Sequence, residues 1–289
     1  MEASVLIDKT VVTRFAPSPS GYLHLGHAYS ALFAAEAAGS GLGRFLLRIE
    51  DIDKGRCKPV FEDAIYEDLA WLGLDWEQPV RRQSDHFEEY RQALTQLDDK
   101  DLIYPCFCTR KDIAAEIERA GRAPHNIAGP DGPLYPGTCR HMSDDERDFR
   151  LAQGDPFALR LNMERACESA GLLTWQEADI GGHLANPQIF GDVVLARKDT
   201  PTSYHLSVTL DDHLQGVTLV TRGEDLRLAT HIHRLLQALL DFKAPDYTFH
   251  KMLTGDDGRR YAKRDRSLTL RSLRGEGETP GDIRRRIGL

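Results

Sequence analysis

The sequence predicts an α/β protein with helices packed on a layered, parallel sheet. Segments rich in β-branched and aromatic residues alternate with segments whose apolar residues recur every three or four positions, and this alternation is typical of strands joined by helices. The 289 residues are 41% hydrophobic and 28% charged. This composition supplies a core for one large domain or two modest ones.

The strand-like segments are VVTRFA (11–16), FLLRIE (45–50), FALRLN (157–162), FGDVVLAR (190–197) and GVTLVTR (216–222). The helical pattern covers residues 25–38, 61–72, 87–97 and 229–240. Between residues 106 and 140 a stretch rich in Gly and Pro replaces the alternation, and it is too long for an ordinary connection. We therefore predict a sheet domain in two halves (1–100 and 161–245), an insertion (101–160) and a basic, helical tail (246–289).

Charge limits the partners that this chain can bind. Its 37 basic and 45 acidic residues give a net charge of −8, which argues against coating nucleic acid with the whole surface. Residues 258–289 hold ten Arg or Lys and only four Asp or Glu, so any RNA contact is expected to be local and to involve this tail. No apolar run approaches the ~20 residues of a bilayer span, and the first residues lack a secretion signal. We expect a cytoplasmic protein without a membrane partner.

Three of the five cysteines favour a metal site. Cys106 and Cys108 are close enough in sequence to chelate one ion, and Cys139 follows 31 residues after Cys108. This arrangement fits a disulfide scaffold poorly. Thiolates favour tetrahedral zinc, which needs a fourth ligand. The conventional candidates for that ligand are His125, Asp131 and His141. The alternative is a cluster of reduced thiols packed as small apolar groups.

The segment RFAPSPSGYLHLGH (14–27) indicates a nucleotide site. It runs from a predicted strand through a turn into a helix that begins near Leu25. Gly26 allows a ligand to approach closely, and His24 and His27 lie near the helix start, where an anion is favoured. Neither a Walker A loop nor a GxGxxG fingerprint is present. Taken alone, the two histidines are also consistent with ordinary packing.

The HLGH sequence resembles the HIGH signature of class I aminoacyl-tRNA synthetases, and the surrounding residues resemble their glutamyl branch. Three further segments match that branch in order: LRIEDID (47–53), DDHLQGVTLVTRGEDL (211–226) and RYAKRD (260–265). The last stands in the place of the KMSKS loop, with Arg260 and Ala262 where the family has its first lysine and its serine. The resemblance covers nearly the whole chain and implies a Rossmann-like catalytic domain divided by a zinc-binding insertion.

The chain ends 25 residues after Arg264, where a glutamyl-tRNA synthetase continues into helical anticodon-binding domains, which we expect to be absent. Together with the cysteine insertion, this resembles the glutamyl-queuosine tRNA(Asp) synthetases. That resemblance implies a ligase that activates L-glutamate with ATP and Mg²⁺ and transfers it to queuosine at the wobble position of tRNA(Asp). We expect a monomer. The alternatives are a fragment that charges tRNA(Glu), a tRNA-binding protein without catalysis and, least favoured, a nucleotidyltransferase.

The resemblance also implies roles for individual residues. The catalytic and ATP-binding residues are His24, Gly26, His27 and Lys263. The glutamate-binding residues are Arg14, Ala16, Ser18, Glu50, Tyr204 and Arg222. One structural Zn²⁺ is held by Cys106, Cys108, Tyr135 and Cys139, with Tyr135 as an unusual fourth ligand. The alternative for two of the glutamate-binding residues is an ordinary surface ion pair. Arg222 would then pair with Glu224, and Glu50 with Arg48.

Overall fold

The computed structural model describes residues 10–39, 41–119, 128–253 and 269–289. Its strands are β1 (Val12–Phe15), β2 (Arg44–Ile49), β3 (Glu77–Arg82), β4 (Ile103–Cys106), β5 (Ala128–Gly129), β6 (Gly132–Pro133), β7 (Ala158–Leu161), β8 (Thr174–Glu177), β9 (Gly181–Leu184), β10 (Val194–Ala196), β11 (Leu219–Gly223) and β12 (Asp246–His250). Its helices are α1 (Leu25–Ala38), α2 (Pro59–Trp71), α3 (Phe87–Asp98), α4 (Arg110–Arg119), α5 (Asp144–Ala152), α6 (Met163–Ala170), α7 (Tyr204–Leu214), α8 (Ala229–Leu239), α9 (Leu270–Gly275) and α10 (Pro280–Ile287).

The chain divides into two compact units. The first comprises Met1–Ser84, Gly216–Arg227 and Pro245–Leu289, and the second comprises Asp85–Gln215 and Leu228–Ala244. The division into four parts that the sequence suggests stays a prediction.

The first unit contains the parallel strands. β1 pairs with β2, β2 with β3, and β11 with β12, all in parallel. Thr218, just before β11, donates its N–H to Val12 O at 3.0 Å, so β11 lies beside β1. Apolar residues of α1, α2, α9 and α10 pack into one core with β1 and β2. The carboxyl ends of these strands are where an open α/β sheet binds its ligands.

The second unit combines an antiparallel sheet with helices. Three of its strands have the order β10-β7-β4, and β8 pairs with β9 in antiparallel orientation. Residues of α3, α6, α7 and α8 form its main core. The Gly- and Pro-rich stretch contains α4 and the short β5–β6 pair, and α5 follows it. A small buried cluster of Tyr104, Cys106, Phe107 and Cys139 lies at the end of β4.

The α/β class is confirmed, as are the four predicted helices, whose ends agree to within two residues. The strand expected over 190–197 is shorter than predicted. Gly191, with φ at +61°, follows a 3₁₀ turn, and only Val194–Ala196 are extended. Within the described part of the chain, no helix has the length and apolar character needed to cross a membrane.

Asp68 is a carboxylate buried inside the first unit. It lies on α2, and neither of its carboxylate oxygens accepts a hydrogen bond from a described residue. Arg274 Nη2 lies 3.6 Å from Oδ1, but burial outweighs this attraction and raises the pKa of Asp68 to about 6. The folded protein therefore binds a proton at Asp68 more tightly than the unfolded chain does.

We expect Asp68→Asn to stabilise the protein by about 1–2 kcal/mol at pH 7, because it removes the buried charge and keeps the side-chain volume. The raised pKa means that the unsubstituted protein gains stability as the pH falls through about 6 towards the ordinary value for Asp. The difference in free energy of unfolding between Asp68→Asn and the unsubstituted protein should therefore decrease as the pH falls below about 6. Urea unfolding at a series of pH values measures it, and a constant difference would contradict the raised pKa.

Candidate functional site

Three charged residues lie at the carboxyl ends of neighbouring strands in the first unit. Arg14 lies near the end of β1, Arg222 near the end of β11, and Glu50 directly follows β2. The two arginines are buried, with 7% and 6% of their surface exposed. Arg14 Nη1 donates to Thr221 O at 2.9 Å, which places its guanidinium beside the residue that precedes Arg222. Two buried guanidiniums with an acid on the adjoining strand suit a small molecule that carries carboxylates.

Glu50 lies against the turn that follows β1. Its N–H donates to Pro17 O at 3.0 Å, and within this turn Ala16 is half-buried and Ser18 is exposed. The ion pair with Arg48 is present, since Arg48 Nη2 donates to Glu50 Oε1 at 3.2 Å. A carboxylate has about four lone-pair directions, so this partner does not exclude a substrate ammonium group as a second one.

The other acidic and basic residues of these motifs have structural contacts. Asp51 Oδ1 and Oδ2 accept hydrogen bonds from the N–H and Oγ of Ser84, at 2.8 and 2.6 Å. The Arg222 guanidinium carbon lies 5.5 Å from the centroid of the Tyr247 ring, whereas Glu224 lies 3.7 Å from Arg227. Arg222 thus packs on an aromatic ring within its own unit.

Two histidines cap the start of α1. His24 is the N-cap residue, and its Nδ1 accepts a hydrogen bond from Gly26 N–H at 3.1 Å. The Nδ1 of His27 accepts from His24 N–H at 3.2 Å, and the two ring centroids are 3.8 Å apart. Because each Nδ1 is an acceptor, each neutral ring carries its proton on Nε2. Two N–H donors at the positive end of a helix suit the phosphates of a nucleotide.

The His24 ring leaves little room for a side chain at Gly26. A Cβ at residue 26 would lie 3.0 Å from His24 Cε1 and 3.2 Å from its Nδ1. We expect Gly26→Ala to displace the ring and lower ATP–pyrophosphate exchange by about tenfold or more, which corresponds to roughly 1.4 kcal/mol. Gly281→Ala is the matched control, because its Cβ would lie at least 3.7 Å from its neighbours. Equal exchange rates for both variants would contradict a role for the His24 ring.

Residues 254–268, which contain Lys263 and the rest of the KMSKS-like segment, lie outside the described residues. The first residue after them, Thr269, forms an antiparallel bridge with His24. Leu270 N–H then donates to Leu23 O at 2.8 Å. The chain therefore returns from this segment directly beside the histidine cap.

Tyr204 belongs to the second unit, where it is the first residue of α7. The next residue, His205, hydrogen-bonds through Nε2 to Asp131 Oδ2 at 2.9 Å and through Nδ1 to His233 Nε2 at 3.1 Å. The sequence did not predict these hydrogen bonds among Asp131, His205 and His233, because the three residues are far apart in sequence and follow no motif that we used. The hydrogen bonds fix the first turn of α7 and, with it, the position of Tyr204.

The three cysteines of the insertion meet in the second unit. Their Sγ atoms all lie within 4.8 Å of one another, and those of Cys108 and Cys139 are 3.4 Å apart. The Tyr135 hydroxyl lies 3.5 Å from Cys108 Sγ and accepts a hydrogen bond from Cys139 N–H at 2.8 Å. Tetrahedral zinc with Zn–S bonds of about 2.3 Å needs sulfur atoms about 3.8 Å apart, so the thiols can hold a metal ion with little movement.

The conventional candidates for a fourth ligand are not found with these thiols. The Asp131 carboxylate is directed to His205, and the His141 ring lies 3.5 Å from Arg140 Nη2. Among the described residues, the metal-ligating cluster contains the three cysteines and no histidine or acid. His125 lies outside those residues. Tyr135 is therefore the nearest fourth oxygen or nitrogen ligand that the structure describes.

The thiols share their protons unequally. Hydrogen bonds from the Cys106 thiol, from Tyr135 and from the backbone of Phe107 lower the pKa of the Cys139 thiol. The same bond to Cys139 and burial raise the pKa of Cys106, and burial raises the pKa values of Cys108 and Tyr135. Metal ions bind thiolates, so an ion that binds these three cysteines would release the protons that their thiols still carry.

Comparison with known proteins identifies the family. Residues 10–289 match the family described as "tRNA synthetases class I (E and Q), catalytic domain". The chain is 50% identical to the glutamyl-Q tRNA(Asp) synthetase of Rhodobacter capsulatus over 96% of its own length and 100% of that protein. It is 38% identical to the glutamate–tRNA ligase of Aquifex aeolicus over 93% of its own length and 55% of that protein.

A solved structure agrees with this relationship. The glutamate–tRNA synthetase of Elizabethkingia anophelis superposes with a TM-score of 0.73 at 27% identity, over 89% of this chain and 53% of that one. The chain spans about half the length of this structure. From the family match and the relatives together, the chain belongs to the class I aminoacyl-tRNA synthetases of the glutamyl and glutaminyl type.

Proposed function

We propose that this protein forms glutamyl-adenylate from L-glutamate and ATP and transfers the glutamyl group to queuosine at the wobble position of tRNA(Asp). The observation that carries this proposal is the pair of buried arginines, Arg14 and Arg222, at the carboxyl edge of the sheet, with Glu50 on the adjoining strand. Glutamate carries two carboxylates and one ammonium group. Two guanidiniums and one carboxylate form the complementary set of charges.

In the first step, an oxygen of the glutamate α-carboxylate attacks the α-phosphorus of ATP, and pyrophosphate leaves. The attack adds negative charge around the phosphorus, which fixed donors stabilise. The Nε2–H groups of His24 and His27 are such donors, and Lys263 supplies a cation for the leaving pyrophosphate. Mg²⁺ accompanies ATP in this proposal. Tyr204 contributes a hydroxyl to glutamate binding, and Ser18 with the backbone at Ala16 assists Glu50.

In the second step, a hydroxyl group of queuosine attacks the acyl carbon of the adenylate, and AMP leaves. The acceptor is assigned to queuosine because the glutamyl-Q tRNA(Asp) synthetase of Rhodobacter capsulatus is 50% identical to this chain over its whole length, whereas the glutamate–tRNA ligase of Aquifex aeolicus is 38% identical over 55% of its length. Charging of tRNA(Glu) is the second candidate, since relatives with that name share the same catalytic domain.

We also propose that Cys106, Cys108, Cys139 and Tyr135 hold one structural Zn²⁺. Three thiols and one phenol complete a closed tetrahedral shell without an open position for substrate. Bound zinc would fix the end of β4 to the loop that precedes α5. It is assigned no part in the reaction.

The decisive test is ATP–pyrophosphate exchange with each amino acid, followed by transfer of labelled glutamate to tRNA. We expect exchange with glutamate alone and label on tRNA(Asp) only when the tRNA contains queuosine. Label on the 3′ end of tRNA(Glu) would select the second candidate. A protein that shows no exchange with any amino acid is not an enzyme of this kind.

A further inference from the structure

A group of aromatic and cationic residues in the first unit lies next to the histidine cap and has no part in the proposed adenylate chemistry. The Tyr22 and Phe61 rings meet edge to face, with centroids 5.0 Å apart. The Arg271 guanidinium carbon lies 5.3 Å from the centroid of the Tyr22 ring, and its Nη1 donates to Tyr22 OH at 3.4 Å. We call Tyr22, Lys58, Phe61 and Arg271 the aromatic–cationic surface.

Lys58 joins this surface through the backbone. Its N–H donates to Pro19 O at 3.0 Å, so the start of α2 lies against the turn that precedes Tyr22, and its own carbonyl accepts from Phe61 N–H at 3.0 Å. Lys58 is exposed, and within the described part of the chain its ammonium group has no ion-pair or hydrogen-bond partner. Arg56, two residues earlier, is also exposed and pairs with Asp53 at 2.6 Å.

Stability does not explain a lysine at this position. Lys58 is the N-cap residue of α2, and its side chain makes no capping hydrogen bond. Ser, Thr, Asp and Asn are favoured there, and a cation is repelled by the positive end of the helix. The local sequence therefore keeps a positive charge where folding alone favours a neutral or negative group.

The surface lies beside the residues assigned to ATP. Tyr22 precedes His24 by two positions, and Leu270, the neighbour of Arg271, is hydrogen-bonded to Leu23. A macromolecule whose reactive group enters the adenylate site must cover the surface around it. An RNA loop fits this surface best, because cations bind its phosphates and an aromatic ring beside a guanidinium stacks with an unpaired base.

We propose that the aromatic–cationic surface binds the anticodon loop of the tRNA substrate, with Lys58 and Arg271 on phosphates and Tyr22 under an unpaired base. This inference rests on the proposed function and names the surface through which the RNA approaches. Lys58 and Arg271 would provide a locally positive RNA-binding surface on a chain whose net charge is −8. Such contacts make binding depend on salt.

The test compares the full-length protein with Lys58→Glu/Arg271→Glu, using queuosine-containing tRNA(Asp) as the probe. We expect the double variant to raise KM for this tRNA about tenfold or more, and to reduce the slope of log affinity against log salt by about 0.7 for each lost phosphate contact. KM values for glutamate and ATP in the exchange reaction should stay within about twofold. Lys111→Glu/Lys243→Glu, which changes two exposed lysines of the second unit, is the matched control for charge.

Lys58→Ser separates RNA binding from folding. Serine is a favoured N-cap residue, so this variant should unfold at the same temperature as the unsubstituted protein or higher, and yet bind the tRNA more weakly. Tyr22→Leu should weaken tRNA binding without changing the salt slope, because stacking carries no charge.

The outcomes distinguish this inference from the proposed function. Unchanged tRNA kinetics in the double variant, with normal glutamate-dependent exchange, would show that the aromatic–cationic surface does not bind the tRNA. The proposed enzymatic function would not be affected by that result. Loss of exchange in the same variant would also overturn the inference about this surface, because Lys58 and Arg271 would then act on the nucleotide. Failure of the unsubstituted protein to exchange would overturn the proposed function instead.

Discussion

Replacing Arg14 by leucine is expected to lower kcat/KM for glutamate in ATP–pyrophosphate exchange by about a thousandfold, which corresponds to roughly 4 kcal/mol. The reason is the burial of the guanidinium, which has 7% of its surface exposed. Without it, a substrate carboxylate would enter a desolvated site with no counter-charge, and Thr221 O would lose its donor at 2.9 Å. Exchange measured over a range of glutamate concentrations gives the effect.

Two further variants make this prediction specific. Arg14→Lys restores the charge but not the planar fork of donors, so it should recover only part of the activity. Arg44→Leu is the control, because Arg44 lies on the neighbouring strand β2 and forms an exposed pair with Glu77 at 2.7 Å. Removing that pair should cost less than about 1 kcal/mol of stability and leave exchange unchanged. If Arg14→Leu retained normal glutamate kinetics, Arg14 would not hold the substrate.

Replacing Cys139 by serine is expected to abolish metal binding and to destabilise the second unit by several kcal/mol. Cys139 is buried, with 2% of its surface exposed, and its Sγ lies 3.4 Å from that of Cys108. A structural zinc ion contributes its binding free energy directly to folding, because the unfolded chain has no preformed site. Zinc content of the purified protein and thermal unfolding with and without a chelator measure the two effects.

Cys167→Ser is the matched control for this experiment. Cys167 belongs to the same unit and is half-buried on α6, but its nearest sulfur contact is Met163 Sδ at 3.6 Å, not another thiol. This variant should keep one zinc ion per chain and respond to chelator as the unsubstituted protein does. Tyr135→Phe tests the fourth ligand and should weaken the affinity for zinc without abolishing it. Full zinc content in Cys139→Ser would show that the cysteines do not hold the metal.

Much of the first unit follows from local sequence rules. The helix that begins within HLGH, at Leu25, has the predicted bounds because its apolar spacing, the turn before it and Gly39 at its end all agree. The positions of Arg14 and Arg222 also follow, because residues near the carboxyl ends of parallel strands meet at one edge. β3 and β12 were not predicted, since Glu77–Arg82 has exposed and polar residues, and Asp246–His250 has only three strand-forming residues between an Asp and a His.

The second unit depends more on contacts between distant residues. The sequence contains every member of the Asp131–His205–His233 chain, but no spacing rule brings together residues from an insertion loop and two helices. The same is true of Tyr104, whose hydroxyl donates to the buried Asp192 at 2.6 Å. In contrast, the meeting of Cys106, Cys108 and Cys139 was predictable, because thiols with this spacing have few uses other than binding one ion.

His24 performs two structural tasks before any substrate arrives. Its ring closes the first turn of α1, and its backbone bridges to Thr269, where the chain returns from the segment that contains Lys263. A substitution at this residue therefore changes helix initiation and loop anchorage together with phosphate contact. Kinetic data from a His24 variant alone cannot be divided among these three effects. Chemical replacement of the imidazole by an analogue that keeps the Nδ1 acceptor but lacks the Nε2 donor would isolate the last of them.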